Sequence, residues 1–276
     1  ILYVGLIGVN LAHVPTDSHL NIRISMVIAA LWLGGFALPV ILNPPLPKNP
    51  QSGPSHENIL ESYKLLWHTV RTLKREAPHT LFFLVASAVF RDGLAGVFTF
   101  GAVLAKTAFG FSASDVMLFA ISANIVAGLA TVAFGWVDDK IGPKKVIILS
   151  LSAMVVAGFG VFFLHSNGPL VFWTLGLILC VFVGPTQSAS RSFLSRIIPA
   201  GREGEVFGLY ATTGRAVSFM APAMYSLFLA IGAALTPSGA DYTYWGILGI
   251  MLILAVGLAL TIPVKAHRAT LDHMEN

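Results

Sequence analysis

The sequence predicts an all-α fold: a polytopic bundle of membrane-spanning helices. Three observations carry this. The chain is 55% hydrophobic and only 11% charged, where a soluble domain holds about 25% charged residues. Apolar runs of about 20 residues, enough for a helix to cross a bilayer, recur along its length. The bases are also sorted by position. Of the 17 Lys and Arg, 13 fall in segments 43–79, 137–145, 191–205 and 265–276. Short cytoplasmic loops collect Lys and Arg, so these segments and the C-terminus are expected inside. The net charge of +4 then reflects topology and not a nucleic-acid partner; the expected partner is the lipid bilayer.

Taken in order, residues 1–14 are apolar but short of a span, and read as the outer end of a cut helix. The chain opens on Ile1, with no initiator Met and no signal peptide, so a piece of a longer protein is expected. Residues 15–21 form a polar turn. Residues 22–42 are the first complete span, with Arg23 at its outer edge. Pro44, Pro45, Pro47, Pro50 and Pro54 then make a stiff, extended linker. Ser55 can cap a helix reaching about Arg75, whose Ile59, Tyr63, Leu66, Trp67, Val70 and Leu73 follow helical spacing. Glu57 and Glu61 near its start and Lys74 and Arg75 at its end suit the helix dipole. This amphipathic helix is expected on the inner membrane surface, with docking of a regulatory partner as the alternative. Six further spans are expected at 80–105, 114–136, 145–164, 169–189, 206–234 and 242–264. The domain plan is thus 1–42, a linker at 43–79, a six-helix unit at 80–264 and a tail at 265–276.

Charged and polar groups inside spans are costly in lipid and usually face a cavity with a function. Arg91 and Asp92 lie about 17 Å into their span, at 1.5 Å per residue. Adjacent helical side chains diverge by about 100°, so each needs a partner on another helix. Arg215, at similar depth, is the expected partner of Asp92, either as a plain structural ion pair or as part of a binding site. Asn124 sits mid-span and suits either a hydrogen bond between helices or a ligand contact. Gln187 follows Gly184-Pro185, where a freed carbonyl and a kink tend to border water-filled sites. Arg191 lies near enough to the edge to snorkel. The one cysteine, Cys180, reads as a small buried hydrophobe. The 8 histidines are scattered. Neither H-E-x-x-H nor a G-x-x-x-x-G-K-[ST] loop occurs, so no enzyme, ATP motor, metal or cofactor is expected.

The segment GWVDDKIGPKK at 135–145 lies between two apolar runs and packs charge into a turn. One reading is a solvated turn whose lysines only set topology. Its Gly135, Asp139, Lys140, Gly142 and Lys144 also resemble the G-x-x-x-D-[RK]-x-G-[RK]-[RK] loop of the major facilitator superfamily, with Pro143 where that family usually has a base. There the loop recurs in each half and latches the halves on the cytoplasmic side. F-R-D-G at 90–93, G-P-T-Q-S-A-S-R-S at 184–192, I-P-A-G-R-E-G-E-V-F-G-L-Y at 198–210 and the T-G-R ending at Arg215 narrow the likeness. They resemble the branch of vacuolar amino-acid effluxers and their bacterial relatives, over residues 22–264. Arg91 departs from that branch, which often has an uncharged polar residue there. The resemblance implies a major facilitator fold: the C-terminal six-helix half plus the last one to two helices of an N-terminal half, the rest of which would be a missing partner. It implies a secondary transporter of a small solute, an amino acid or other small organic anion or zwitterion. Transport would be by alternating access and coupled to protons. Arg91, Asp92, Asn124, Gln187 and Arg215 are the candidate substrate or ion residues, and a bacterial plasma membrane is the expected home. A non-transporting receptor or assembly subunit is the alternative.

Overall fold

A computed structural model describes residues 20–42, 59–199 and 201–265. The expected cut helix at 1–14, the proline-rich linker, the Ser55 cap and nearly all of the tail lie outside these residues. The chain divides into two units, Ile1–Tyr63 and Lys64–Asn276. In the first, α1 (Leu20–Leu42) is a single helix of 23 residues with Pro39 inside it, matching the span expected at 22–42.

The helix α2 (Ile59–Glu76) leads into the second unit. It is amphipathic as expected: Leu73 is buried while Trp67, Arg71, Lys74 and Arg75 are exposed. Beyond it come α3 (Pro78–Thr107), α4 (Ala113–Ile141) and α5 (Pro143–Phe163). A single turn α6 (Pro169–Val171) and a π-helical segment Phe172–Gly176 run into α7 (Leu177–Ile197). Then follow α8 (Glu203–Ala216), α9 (Met220–Leu235) and α10 (Gly246–Thr261). Among the described residues, six helical spans are long and apolar enough to cross a membrane, and they are the six that were expected. The chain is a multi-pass, all-α membrane bundle.

Within the bundle, α3 packs against α7, α8, α9 and α10, while α7 also packs against α4 and α5. Phe83, Phe90 and Leu94 of α3, Met154 of α5, Phe193 of α7 and Leu254 of α10 are fully buried. Phe83 meets Phe193 edge-on at 4.7 Å, a favoured aromatic geometry. In contrast, Leu118, Ile125, Leu129, Val132 and Trp136 of α4 are exposed at helical spacing. That apolar stripe suits a membrane span, where lipid is as good a neighbour as a packed side chain.

Two segments depart from the sequence reading. The expected loop at 137–145 is nearly all helix, because α4 continues to Ile141 and α5 begins at Pro143. Gly142 alone makes the corner, at φ 88°, a conformation glycine adopts freely. Pro143 then starts α5, where its missing N–H costs nothing. The span expected at 206–234 is broken, with Val217–Phe219 separating α8 from α9. Pro222 in the first turn of α9 explains the break. Its ring would clash with the carbonyl four residues earlier in a continuous helix.

Close backbone approach places α3. A Cβ on Gly257 of α10 would run into the Cα, Cβ and backbone nitrogen of Phe90, the residue before Arg91. Overpacking of this kind typically costs about 1–3 kcal/mol. Gly257→Ala is therefore expected to lower the apparent melting temperature in detergent by several degrees, whereas Gly128→Ala, with nothing within 4 Å of its Cβ position, should leave it nearly unchanged.

Candidate functional site

The broken helix is held on both sides by two consecutive residues of α3. Arg91 Nη1 donates to the carbonyl of Tyr210 in α8 at 2.7 Å. Its guanidinium also lies over the Tyr210 ring, 3.9 Å from the centroid, a cation–π geometry worth about 2 kcal/mol when desolvated. Asp92, only 6% exposed, turns the other way. Its Oδ2 accepts the N–H of Ala221 at 2.6 Å, in the first turn of α9. The divergence expected of adjacent helical residues is thus realised, and both partners belong to one interrupted span.

That bond satisfies the one N–H of the first turn of α9 that the backbone leaves over. Met220 N–H donates to the Val217 carbonyl at 2.9 Å, and Ala223 N–H to the Phe219 carbonyl at 3.1 Å. Pro222 has no N–H to satisfy. Ala221 would be the orphan of the first turn, and Asp92 takes it. Lipid offers no water for such a donor, so an unsatisfied one costs several kcal/mol. The carboxylate also sits at the positive end of the α9 dipole, which favours an anion.

The expected pairing of Asp92 with Arg215 is not what forms. Among the described residues the one ion pair within 4.0 Å is Arg202 with Glu76, at 3.6 Å. The α9 N-terminus supplies Asp92 with a nearer partner. Arg215 instead ends α8, in its last turn, where the negative end of the helix dipole meets its charge. Even so, Arg91, Asp92, Gln187 and Arg215 line one cavity, together with Arg191, Tyr210 and Ser218. Its volume is about 250 Å³. Four of the five candidate ligand residues therefore come together. Asn124 does not join them: it is exposed on α4, and its Nδ2 donates to the Ala120 carbonyl of its own helix at 2.8 Å.

Pro185 lies inside α7 without ending it. Thr186 Oγ1 donates to the Phe182 carbonyl at 2.6 Å, and Gln187, one residue on, is exposed towards the cavity. Three further residues build the site. Tyr210 supplies both contacts to Arg91, and its hydroxyl shares a buried hydrogen bond of 2.8 Å with Ser190. Ala221 presents the capped N–H. Gly214 lets the Arg91 guanidinium lie on the helix, since a Cβ there would sit 3.0 Å from three of its atoms. Sequence reasoning passed over all three because Ala221 acts through its backbone N–H, Tyr210 largely through its carbonyl and ring face, and Gly214 through the side chain it lacks, none of which charge marks in a sequence.

The residues that resemble the latch loop occupy the α4–α5 corner. Lys144 Nζ donates to the Ile262 carbonyl, just past α10, at 2.6 Å. Gly135, Asp139 and Lys140 are exposed, and Asp139 makes no ion pair with Lys140 within 4.0 Å. The neighbouring Asp138 holds a buried Oδ1 with no hydrogen-bond partner. On the same side, Thr69 Oγ1 of α2 donates to Glu205 Oε2 at 3.2 Å, and Thr80 Oγ1 to the Ile197 carbonyl at 2.6 Å. Among the described residues no cluster of three or more His, Cys, Asp and Glu is placed to hold a metal.

The cap makes a direct test. Asp92→Ala strands the Ala221 N–H and is expected to destabilise the protein by about 1–3 kcal/mol. Asp92→Asn keeps an acceptor oxygen and should cost clearly less. Thermal unfolding in detergent separates the two; equal loss from both would show that the cap bond contributes little.

A family model described as vacuole effluxer Atg22 like matches residues 1–272. An uncharacterized MFS-type transporter of Bacillus subtilis, YxiO, is 21% identical over 261 residues, covering 93% of this chain and 57% of that protein. Autophagy-related protein 22-1 of Aspergillus niger is 25% identical, covering 89% of this chain and 42% of its own length. Autophagy-related protein 22-2 of Aspergillus clavatus is 29% identical over 234 residues, which are 75% of this chain and 37% of that protein. The chain thus spans about half the length of the curated relatives it matches. With the family model covering nearly its whole length, the chain belongs to the vacuole effluxer Atg22 like family.

Proposed function

We propose that the chain forms part of a secondary transporter that moves a small organic anion or zwitterion by alternating access. The observation that carries this reading is the cavity at the α8–α9 break. Discontinuous helices near the midplane, with a half-helix N-terminus at hand, are the usual setting of transporter sites. In this reading residues 80–264 are the C-terminal six-helix half and residues 1–42 end the other half. Residues 43–79 form the cytoplasmic linker between them, and 265–276 the tail. Arg91, Gln187 and Arg215 contact the cargo.

Asp92 is the proton-coupling group. Ionised, it holds the positive end of α9; protonated, it loses the attraction to that dipole and loosens α9 from α3. The corner bearing Gly135, Asp139, Lys140, Gly142 and Lys144 latches against the other half in one of the two states. The setting is a plasma membrane, supported by the bacterial relative, with the C-terminus in the cytoplasm, supported by the placement of the bases.

Topology and coupling are tested together in the full-length protein with Cys180 replaced. Ser112→Cys and Ser238→Cys should react with an impermeant thiol reagent from outside, and Ser195→Cys only from inside. Gln187→Cys should change its labelling rate when a pH gradient is imposed, and adding Asp92→Asn should abolish that change at normal membrane abundance. A labelling rate indifferent to the gradient in both backgrounds would refute proton-driven alternating access.

A further inference from the structure

We propose that the cavity where the start of α3 meets the ends of α7 and α10 is a site for the headgroup of an anionic phospholipid. The site goes beyond the transporter reading and needs only the multi-pass fold.

The first ground is place. Glu76, His79 and Thr80 border the cavity at the turn from α2 into α3, Arg196 and Ile197 at the end of α7, and Lys265 just past α10. Three ends of membrane-length helices meet there, so the cavity lies where spans pass from hydrocarbon to the headgroup region. Its volume is about 410 Å³, within the roughly 300–1,000 Å³ of sites that take small ligands. The walls are tied without a ligand: the buried Thr80 Oγ1 donates to the Ile197 carbonyl at 2.6 Å.

The second ground is charge. Arg196 and Lys265 are exposed and make no side-chain hydrogen bond or ion pair among the described residues. The one carboxylate of the lining, Glu76, is met by Arg202 at 3.6 Å. Two cations from separate helices therefore border one space, and the half-buried His79 adds its ring nitrogens to the wall. Basic pockets between membrane helices take anionic phospholipid headgroups. A guanidinium fork matches phosphate oxygens in pairs, and an ammonium adds a point charge with three donors.

The third ground favours a lipid over a soluble phosphate. Thr69, Leu73 and Glu76 share the face of α2 that meets the bundle: Thr69 bonds Glu205, Leu73 is buried, and Glu76 pairs with Arg202. Trp67, Arg71 and Lys74 are exposed on the opposite face. Tryptophan and bases on one unpacked face are the pattern of a helix lying in a membrane interface. The cavity begins where this helix ends.

The test is equilibrium binding to the purified full-length protein in detergent, with short-chain phosphatidylglycerol, short-chain phosphatidylcholine and glycerol phosphate as probes. Phosphatidylglycerol should bind at least about tenfold more tightly than either of the others. Arg196→Gln and Lys265→Gln should each weaken its binding by about fivefold, the effect of one base beside an anionic headgroup, and together by about 25-fold. Both side chains are exposed, so both variants are expected to fold. Lys145→Gln, an exposed base at the start of α5 and outside the cavity, should change binding by less than about twofold. Phosphatidylcholine binding as tightly as phosphatidylglycerol, or an equal loss from Lys145→Gln and the two cavity variants, would overturn the site. Glycerol phosphate binding as tightly as phosphatidylglycerol would overturn the lipid assignment in favour of a soluble phosphate. All of these results leave the transporter reading to the thiol-accessibility measurement, which does not depend on this cavity.

Discussion

The structure depends on one constraint: a helix interrupted inside the membrane must have its free backbone groups satisfied by its neighbours. The break between α8 and α9 follows from Pro222, and it would expose a donor at Ala221 to a medium without water. Asp92 meets that donor, and Arg91 fixes the preceding half through the Tyr210 carbonyl and ring. Two costly charges in α3 and one costly break in the facing span thus compensate each other. Neither feature is tolerable alone, which explains why two opposite charges stand side by side in α3 without pairing to each other.

Such an arrangement works only if the helices approach closely and in fixed register. Gly257 lets the α10 backbone rest on α3 at Phe90, one residue before the clamp, and Gly249 lets α10 approach the backbone of α9 at Met224. Gly96 meets Ala221 from α3, where a Cβ would lie 3.1 Å from the Ala221 Cβ. Small residues at these three crossings place α9 so that its second residue reaches Asp92. Membrane helices have no hydrophobic force drawing them together, so close packing and buried hydrogen bonds must do so. The glycines and the clamp are therefore parts of one device.

Much of the architecture was legible because the bilayer imposes length and composition on every span. The six spans of α3 to α10 were each found from apolar length alone, and Arg91, Asp92, Gln187 and Arg215 were singled out by the cost of polarity at their depth. Partner choice was not legible. Pairing Asp92 with Arg215 matched opposite charges at similar depth, but a helix N-terminus created by an interruption is invisible to charge matching. Pro222, inside the apolar run expected as one span at 206–234, was the available signal. The corner at Gly142 was misjudged for a related reason: seven charged or turn-forming residues looked like a loop, yet one glycine at positive φ makes the whole corner.

The corner also explains how a distant surface contact can bear on the site. Lys144 is tied to the Ile262 carbonyl at the end of α10, so the α4–α5 corner and α10 are joined where they emerge. From there α10 runs back along α3 and touches Phe90 through Gly257. A force on the exposed Asp139 face thus has a continuous packed route to the residue before Arg91. Packing alone does not make such a route a coupling; that requires an element with two arrangements biased from both ends. The α8–α9 break is the natural candidate for such an element, because its two halves are held by separate bonds, one from Arg91 to Tyr210 and one from Ala221 to Asp92.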